Sequence, residues 1–311
     1  VLAVAAKQGG AGGGGGGEAR IRWGGWGWVM SNRCSRTEEV GRGRISRRLR
    51  RGTAVAALCS TPSLGVTLGN GTATGTVSIA ISDPANDPTI PKSATASGEA
   101  SIAIGNALLG EPTQPATAAT GLGSVAIGAS AQSTNRDAIA FGVDTVASGD
   151  TATALGSSST AMGDGSVVLG QGATTTGTGT AATALGANSF ASGNFSTAVG
   201  SDANVTGNFA TSIGFGANTS GTFAVSIGDA SSASGESSIA AGDHASSSGL
   251  SSAAFGNKAN AIGNYALAQG ATSSATNLGA VAIGGGHGPS GFGATASGAS
   301  AIPLGSGAHP T

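Results

Sequence analysis

The chain has 311 residues, of which 57 are glycine, while 9% are charged and 4% are aromatic. Three histidines, one tyrosine and two cysteines leave few candidates for a nucleophile, a base or a metal ligand, so we predict no enzyme and no metal or other cofactor. Residues 1–60 carry 11 Lys+Arg against 3 Asp+Glu, whereas residues 61–311 carry 3 Lys+Arg against 12 Asp+Glu. No apolar run reaches the roughly 18 residues of a membrane-spanning helix.

The basic N-terminal part is predicted to be separate from the rest. Residues 1–29 include a glycine run and show no periodicity, so we expect disorder there. The alternative is that the protein starts at Met30 and that the residues before it are a misread extension. From Met30 the chain is polar, then basic, then apolar at residues 53–59, which is the order of a secretory signal peptide. Cleavage after it would remove Cys34 and Cys59. We therefore expect a secreted or cell-surface protein.

An alternative interpretation of residues 1–60 is a solvated basic arm that could touch nucleic acid or anionic lipid. We favour export, and with it no nucleic-acid partner.

The remaining chain divides by its pattern. Residues 61–98 alternate apolar and polar residues, as around Val66, and predict a short β lead-in interrupted by prolines. Residues 99–305 form a repetitive head in which an irregular, proline-containing insertion occupies 106–120. Residues 306–311 are a tail.

Glycines recur every 14 residues from residue 128 onward, with one interval of 16. A fixed period predicts one structural unit stacked many times. Seven residues after these turn glycines, ten of the twelve coils carry Gly again, and the others carry Asn135 and Asn277. Because Gly and Asn tolerate a left-handed backbone, we predict positive φ at both corners of each coil. The turn glycines are Gly128, Gly142, Gly156, Gly170, Gly186, Gly200, Gly214, Gly228, Gly242, Gly256, Gly270 and Gly284.

The residues before each turn glycine alternate in size, which predicts a strand. In most coils the residues one and three positions before it are large or β-branched, as at Val125 and Ile127, and those two and four before are small, as at Ser124 and Ala126. A second strand of small residues follows the glycine, as at Ala131. The sequence therefore predicts two short strands per coil and an all-β parallel β-roll.

Size then decides the geometry of the coil. Because 14 residues with two corners bring the strands close together, only small side chains fit between them, and the large ones must point outward. Twelve rungs make a rod roughly 55 Å long with an apolar stripe larger than a soluble monomer exposes, so we predict a cyclic oligomer. The alternative is a monomeric solenoid with the large residues inside. The predicted oligomer interface comprises Val125, Ile127, Ile139, Phe141, Leu155, Val167, Leu169, Leu185, Val199, Ile213, Val225, Ile227, Ile239, Phe255, Val281 and Ile283.

The repeat, as in residues 124–128 (SVAIG), resembles the YadA-like head of trimeric autotransporter adhesins over about residues 101–305. The resemblance implies a left-handed β-roll, a homotrimer, and attachment to host extracellular matrix or to other cells. Some heads of this family bind collagen through this motif followed by a Ser or Asn, which Ala131 replaces here. Family members continue into a neck, a coiled-coil stalk and a membrane barrel. The sequence has no heptads or barrel strands, so we expect a fragment, a released protein or another means of anchoring.

Four aromatic residues recur nine positions after their turn glycines and predict a column at the second corner: Phe195, Phe209, Phe223 and Tyr265. They either stack between successive rungs or form a candidate adhesive ridge. Acidic residues that follow turn glycines, such as Asp144 and Asp202, are expected to be solvated turn residues, because the period of 14 is not that of a calcium solenoid.

Another function class is a surface-coating or ice-binding solenoid. Ice binding needs a flat threonine ladder on an exposed strand, and Thr145, Thr175 and Thr219 are too scattered to supply one. The sequence therefore favours an adhesin head over an ice-binding protein.

Overall fold

The structure, a computed structural model, describes residues 19–23, 26–30, 54–59, 63–82, 93–106, 115–177, 179–286 and 291–309. All regular secondary structure in these ranges is β, and the chain divides into two units. The first unit comprises residues 1–50 and 59–61, and the second comprises residues 51–58 and 62–311.

The described part of the first unit is an antiparallel hairpin. It consists of β1 (Ala19–Trp23) and β2 (Trp26–Met30), in which Ala19 lies opposite Met30. The expected disorder of residues 1–29 stays a prediction. Apart from β3 (Ala54–Cys59), the rest of residues 31–60 lies outside the described residues, so the signal peptide stays a prediction.

The second unit contains two parallel sheets that run along a solenoid. The long-strand sheet joins sixteen strands: β3, β4 (Ser63–Leu68), β6 (Ile79–Ile81), β8 (Ile102–Ile104), β10 (Val125–Ile127), β12 (Ile139–Phe141), β14 (Thr153–Leu155), β16 (Val167–Leu169), β18 (Thr183–Leu185), β20 (Thr197–Val199), β22 (Thr211–Ile213), β24 (Val225–Ile227), β26 (Ile239–Ala241), β28 (Ala253–Phe255), β30 (Leu267–Gln269) and β32 (Val281–Ile283).

The short-strand sheet joins fifteen strands of two residues each: β5 (Thr72–Ala73), β7 (Thr95–Ala96), β9 (Ala118–Ala119), β11 (Gln132–Ser133), β13 (Val146–Ala147), β15 (Thr160–Ala161), β17 (Thr174–Thr175), β19 (Phe190–Ala191), β21 (Asn204–Val205), β23 (Asn218–Thr219), β25 (Ser232–Ala233), β27 (Ser246–Ser247), β29 (Asn260–Ala261), β31 (Ser274–Ala275) and β33 (Thr295–Ala296). The prediction of an all-β parallel solenoid is confirmed.

Each coil consists of a long strand, a first corner that begins at the turn glycine, a short strand, and a second corner that leads to the next long strand. Equivalent residues of successive coils pair in register, so Thr197 lies beside Thr183 and Thr211. Hydrogen bonds between rungs also continue through the corners, where the N–H of Gly200 donates to the carbonyl of Leu185 at 2.8 Å. The backbone is therefore satisfied from one rung to the next.

The interior between the two sheets is lined by small side chains. Ala198 is fully buried and pairs with Ala184 and Ser212, which are also fully buried. Val168 and Val205 are the largest fully buried side chains. Buried hydroxyls bond to nearby carbonyls, as the Oγ of Ser196 donates to Gly193 O at 2.6 Å. The large residues of the long strands point away from this interior, as their size predicted.

The corners differ from the prediction in one respect. The turn glycines have positive φ, for example +131° at Gly200, but the half-period glycines such as Gly207 do not, and neither do Asn135 and Asn277. Left-handed residues instead lie two and nine positions after the turn glycine, as at Asp202 (56°) and Phe209 (54°).

Close backbone approach explains the half-period glycine. A Cβ added to Gly207 would lie 2.2 Å from the carbonyl oxygen of Gly221 in the next coil. This glycine is therefore required by packing between rungs and not by its φ angle.

The solenoid begins before the predicted head. Strands β4 to β7, from the predicted lead-in, belong to the same two sheets as the regular array. The two extra residues of the single 16-residue interval fall in the second corner between β17 and β18, outside the paired strands. The rungs on either side stay in register because β16 pairs directly with β18.

Candidate adhesive and assembly surfaces

The outward residues of the long strands form what we call the apolar face. They lie one and three positions before each turn glycine, and equivalent residues are aligned, as Ile127 is with Ile104 and Phe141. Their side chains are half-buried or exposed, and Phe141 is 51% exposed. All sixteen residues of the predicted oligomer interface lie on this face.

The apolar face is large and almost uninterrupted by charge. Twelve rungs spaced by about 4.8 Å and strands three residues wide give a flat area of roughly 500 Å², comparable with the largest apolar patch of a typical monomer before side-chain relief is counted. It carries no charged residue from β10 to β32, and Gln269 is the one polar residue in the position just before the turn glycine. Threonines occupy the other outward position in the central coils.

The second corner carries the predicted aromatic column. Phe195, Phe209 and Phe223 stack in consecutive coils with centroids 5.2 Å apart and interplanar angles of 8° and 13°, and we call these three residues the aromatic ridge. Each ring is about half exposed. Tyr265 occupies the same position three coils beyond Phe223, with Ser237 and Ser251 between them, so it does not extend the stack.

The aromatic ridge lies where the backbone disfavours it. The three phenylalanines have φ between 54° and 58°, a left-handed conformation that is costly for a bulky side chain. Equivalent positions in other coils hold residues such as Gly165 and Ser237. Three consecutive coils therefore carry a phenylalanine at a position where the backbone conformation disfavours one.

The surroundings of the ridge are uncharged. From residue 176 to residue 235 the second corners contain no charged side chain, while Asp164 and Glu236 lie at the two ends of this region. Asparagines bridge rungs beside the ridge, where the N–H of Asn194 donates to the Oδ1 of Asn208 at 2.9 Å. A partner would therefore meet apolar and neutral polar groups here.

The outward residues of the short strands form what we call the polar face, on the side of each coil opposite the apolar face. They are mostly Thr, Asn, Ser and Gln, as at Thr160 and Asn218. The threonines considered for ice binding are not among them. Thr145, Thr175 and Thr219 are fully buried, and the Oγ1 of Thr145 donates to Gly156 O at 2.9 Å.

The acidic turn residues lie at the corners, as expected. Asp144 and Asp202 occupy left-handed positions of the first corner. His244 bonds to the neighbouring Asp243 through its Nδ1. Among the described residues no group of three His, Cys, Asp or Glu side chains could hold a metal ion, and His287 lies outside them.

The sequence interpretation missed two exposed aromatic residues, Phe215 and Phe292. Phe215 lies on the first corner directly after Gly214 and is 62% exposed. It belongs to no periodic column, so repeat analysis gave no reason to select it. A count of aromatics by corner would have found both, because the first corners of the described coils contain no others.

No helix long and apolar enough to cross a membrane occurs in the part of the chain that the structure describes.

Comparison with known proteins agrees with the repeat pattern. Seven segments match the family model described as YadA head domain repeat (2 copies), and together they cover more than half of the chain: residues 92–107, 119–145, 147–173, 178–203, 206–231, 233–259 and 261–286. Among solved structures, the chain is similar to the collagen-binding domain of the Yersinia adhesin YadA, with 20% identity, 62% of this chain and 70% of that chain covered, and a TM-score of 0.27. No curated protein matches the chain.

Proposed function

Because the chain belongs to the family of YadA head domain repeats, we propose that it is the head of a non-enzymatic adhesin that acts as a homotrimer at the cell surface or after secretion. Its partner is an extracellular matrix protein or a ligand on another cell. The head presents its polar face to that partner and buries its apolar face against two further copies.

The apolar face is the observation that supports assembly. Residues such as Ile213, Ile227 and Phe255 are each about 40% exposed or more in the single chain. Burying them in a closed ring removes a continuous apolar stripe from water, which is the main favourable term in association. The number three follows from the family and not from the surface itself.

The polar face is the surface that such a ring leaves accessible. Its hydroxyl and amide groups repeat at most rungs, with Val146 and Phe190 among the exceptions, which suits a long partner that is contacted at many weak sites. Three copies in one trimer would raise the effective affinity of such contacts without any strong single site. The Yersinia adhesin domain that this chain resembles is described as collagen-binding, so collagen is one matrix protein to test.

Assembly is tested by light scattering on the full chain. We expect the mass of a trimer, and we expect the double substitution Ile213→Asp and Ile227→Asp to reduce it to that of a monomer. The matched control, Ser232→Asp on the polar face, should leave the trimer intact. A wild-type monomer would contradict the proposal.

Adhesion is tested by binding of the full chain to immobilised matrix proteins, collagen included, and to whole host cells. Saturable binding to any of these surfaces supports the proposal. Binding to none of them by a chain with the mass of a trimer would overturn the adhesive role while leaving the assembly in place.

A further inference from the structure

The two corners of a coil lie at opposite ends of its long strand. At the rung of β22, Phe209 precedes the strand and Phe215 follows it. Both aromatic rings are more than half exposed. The same rung therefore carries an exposed aromatic residue at each end, although Phe292 is the one aromatic residue on the first corners of the other described coils.

A closed ring brings these two ends together. In a cyclic trimer the interface is heterologous, so one surface of a protomer meets a different surface of its neighbour. If the long strands face the axis, the start of each strand lies beside the end of the neighbour's strand at the same rung. The second corner of one protomer then approaches the first corner of the next. This arrangement rests on the proposed trimer.

Steric features at this rung fit such an approach. Phe215 lies between Gly214 and Gly216, and a Cβ placed on Gly216 would meet no atom within 4 Å. The corner around Phe215 is therefore open in the single chain. The aromatic ridge is centred on Phe209, at the same height, so a ring from the neighbour would meet the middle of the three-residue stack.

We propose that the aromatic ridge is a contact between protomers, in which Phe195, Phe209 and Phe223 of one copy pack around Phe215 of the next. This contact closes the ring outside the apolar face and aligns the three rods at equal height. It also explains why bulky residues are kept in left-handed positions, since their burial between copies offsets the backbone cost.

A disulfide between Phe209→Cys and Phe215→Cys tests this contact, in the full chain with Cys34→Ser and Cys59→Ser. Four residue steps of about 3.3 Å separate Ala210 from Gly214, so the two cysteines of one chain lie about 13 Å or more apart, beyond the roughly 7 Å limit for a disulfide. We expect rapid oxidation to a covalent trimer on a non-reducing gel.

The matched control pairs Phe209→Cys with Lys258→Cys, which lies on the first corner three rungs away, and this pair should not cross-link. A protein with the mass of a trimer in which the 209–215 pair links no faster than the control would overturn the inference and leave the ridge free for an external ligand. Absence of a trimer would instead count against the proposed function.

Discussion

Replacing Phe209 by Gly and by Ala separates the strain of the ridge from its contacts. Both variants lose the ring and its two stacking partners, so they differ only at the backbone. Alanine keeps a Cβ at φ 54° and keeps a left-handed cost of about 1–2 kcal/mol. Glycine removes that cost but loses about 0.5–1 kcal/mol through the entropy of the unfolded chain.

The balance predicts that Phe209→Gly is more stable than Phe209→Ala by about 0.5–1 kcal/mol per protomer. Thermal unfolding followed by circular dichroism measures this as a difference of a few degrees in Tm. Thr197, on strand β20, is the matched control, because its extended backbone should make Thr197→Gly less stable than Thr197→Ala. An equal or lower Tm for Phe209→Gly than for Phe209→Ala would refute the argument that the ridge is strained.

Three further outcomes are expected. Ala198→Leu should destabilise the solenoid by about 1–3 kcal/mol or prevent folding, because Ala198 is fully buried between two other buried residues, and denaturant unfolding measures the loss. Gly207→Ala should lower the free energy of unfolding by about 2–4 kcal/mol, because the added Cβ would overlap Gly221 O. The neighbouring control, Thr206→Ala, should change it little. Similar denaturation midpoints for the two variants would be inconsistent with the tight corner. Gln269→Leu should raise the Tm of the trimer, since it replaces a lone polar residue between Phe255 and Ile283 on the apolar face, and an unchanged Tm would argue that this face stays in water.

Side-chain size was sufficient to predict most of the fold. The small residues two and four positions before each turn glycine fill the interior, and the neighbours between them point outward, as the brief coil requires. The period of 14 predicted the stacking of rungs, and the alternation of size predicted the long strands. These features are local and repeat many times, so a single sequence carries them clearly.

The corners could not be predicted in the same way. The glycine at position 207 led us to predict a positive φ there. It is needed instead because the backbone of the next coil lies too close for a Cβ, and the distance between coils cannot be read from the sequence of one coil. The left-handed position nearby is held by Phe209, a residue that propensity would place elsewhere. The candidate contact at Phe215 lacked a periodic signal, so only its exposure in the folded chain and its rung beside Phe209 brought it into view.

Equivalent residues of successive coils pair directly, so whole coils can be gained or lost during evolution without disturbing the pairing of the others. Each coil contacts only the coils before and after it, so copying or deleting one 14-residue unit alters the length of the rod by about 4.8 Å and creates no new kind of junction. A gain or loss of whole units thus changes the length in equal steps and leaves the side chains of the remaining coils unchanged. The number of coils therefore sets the length of the solenoid.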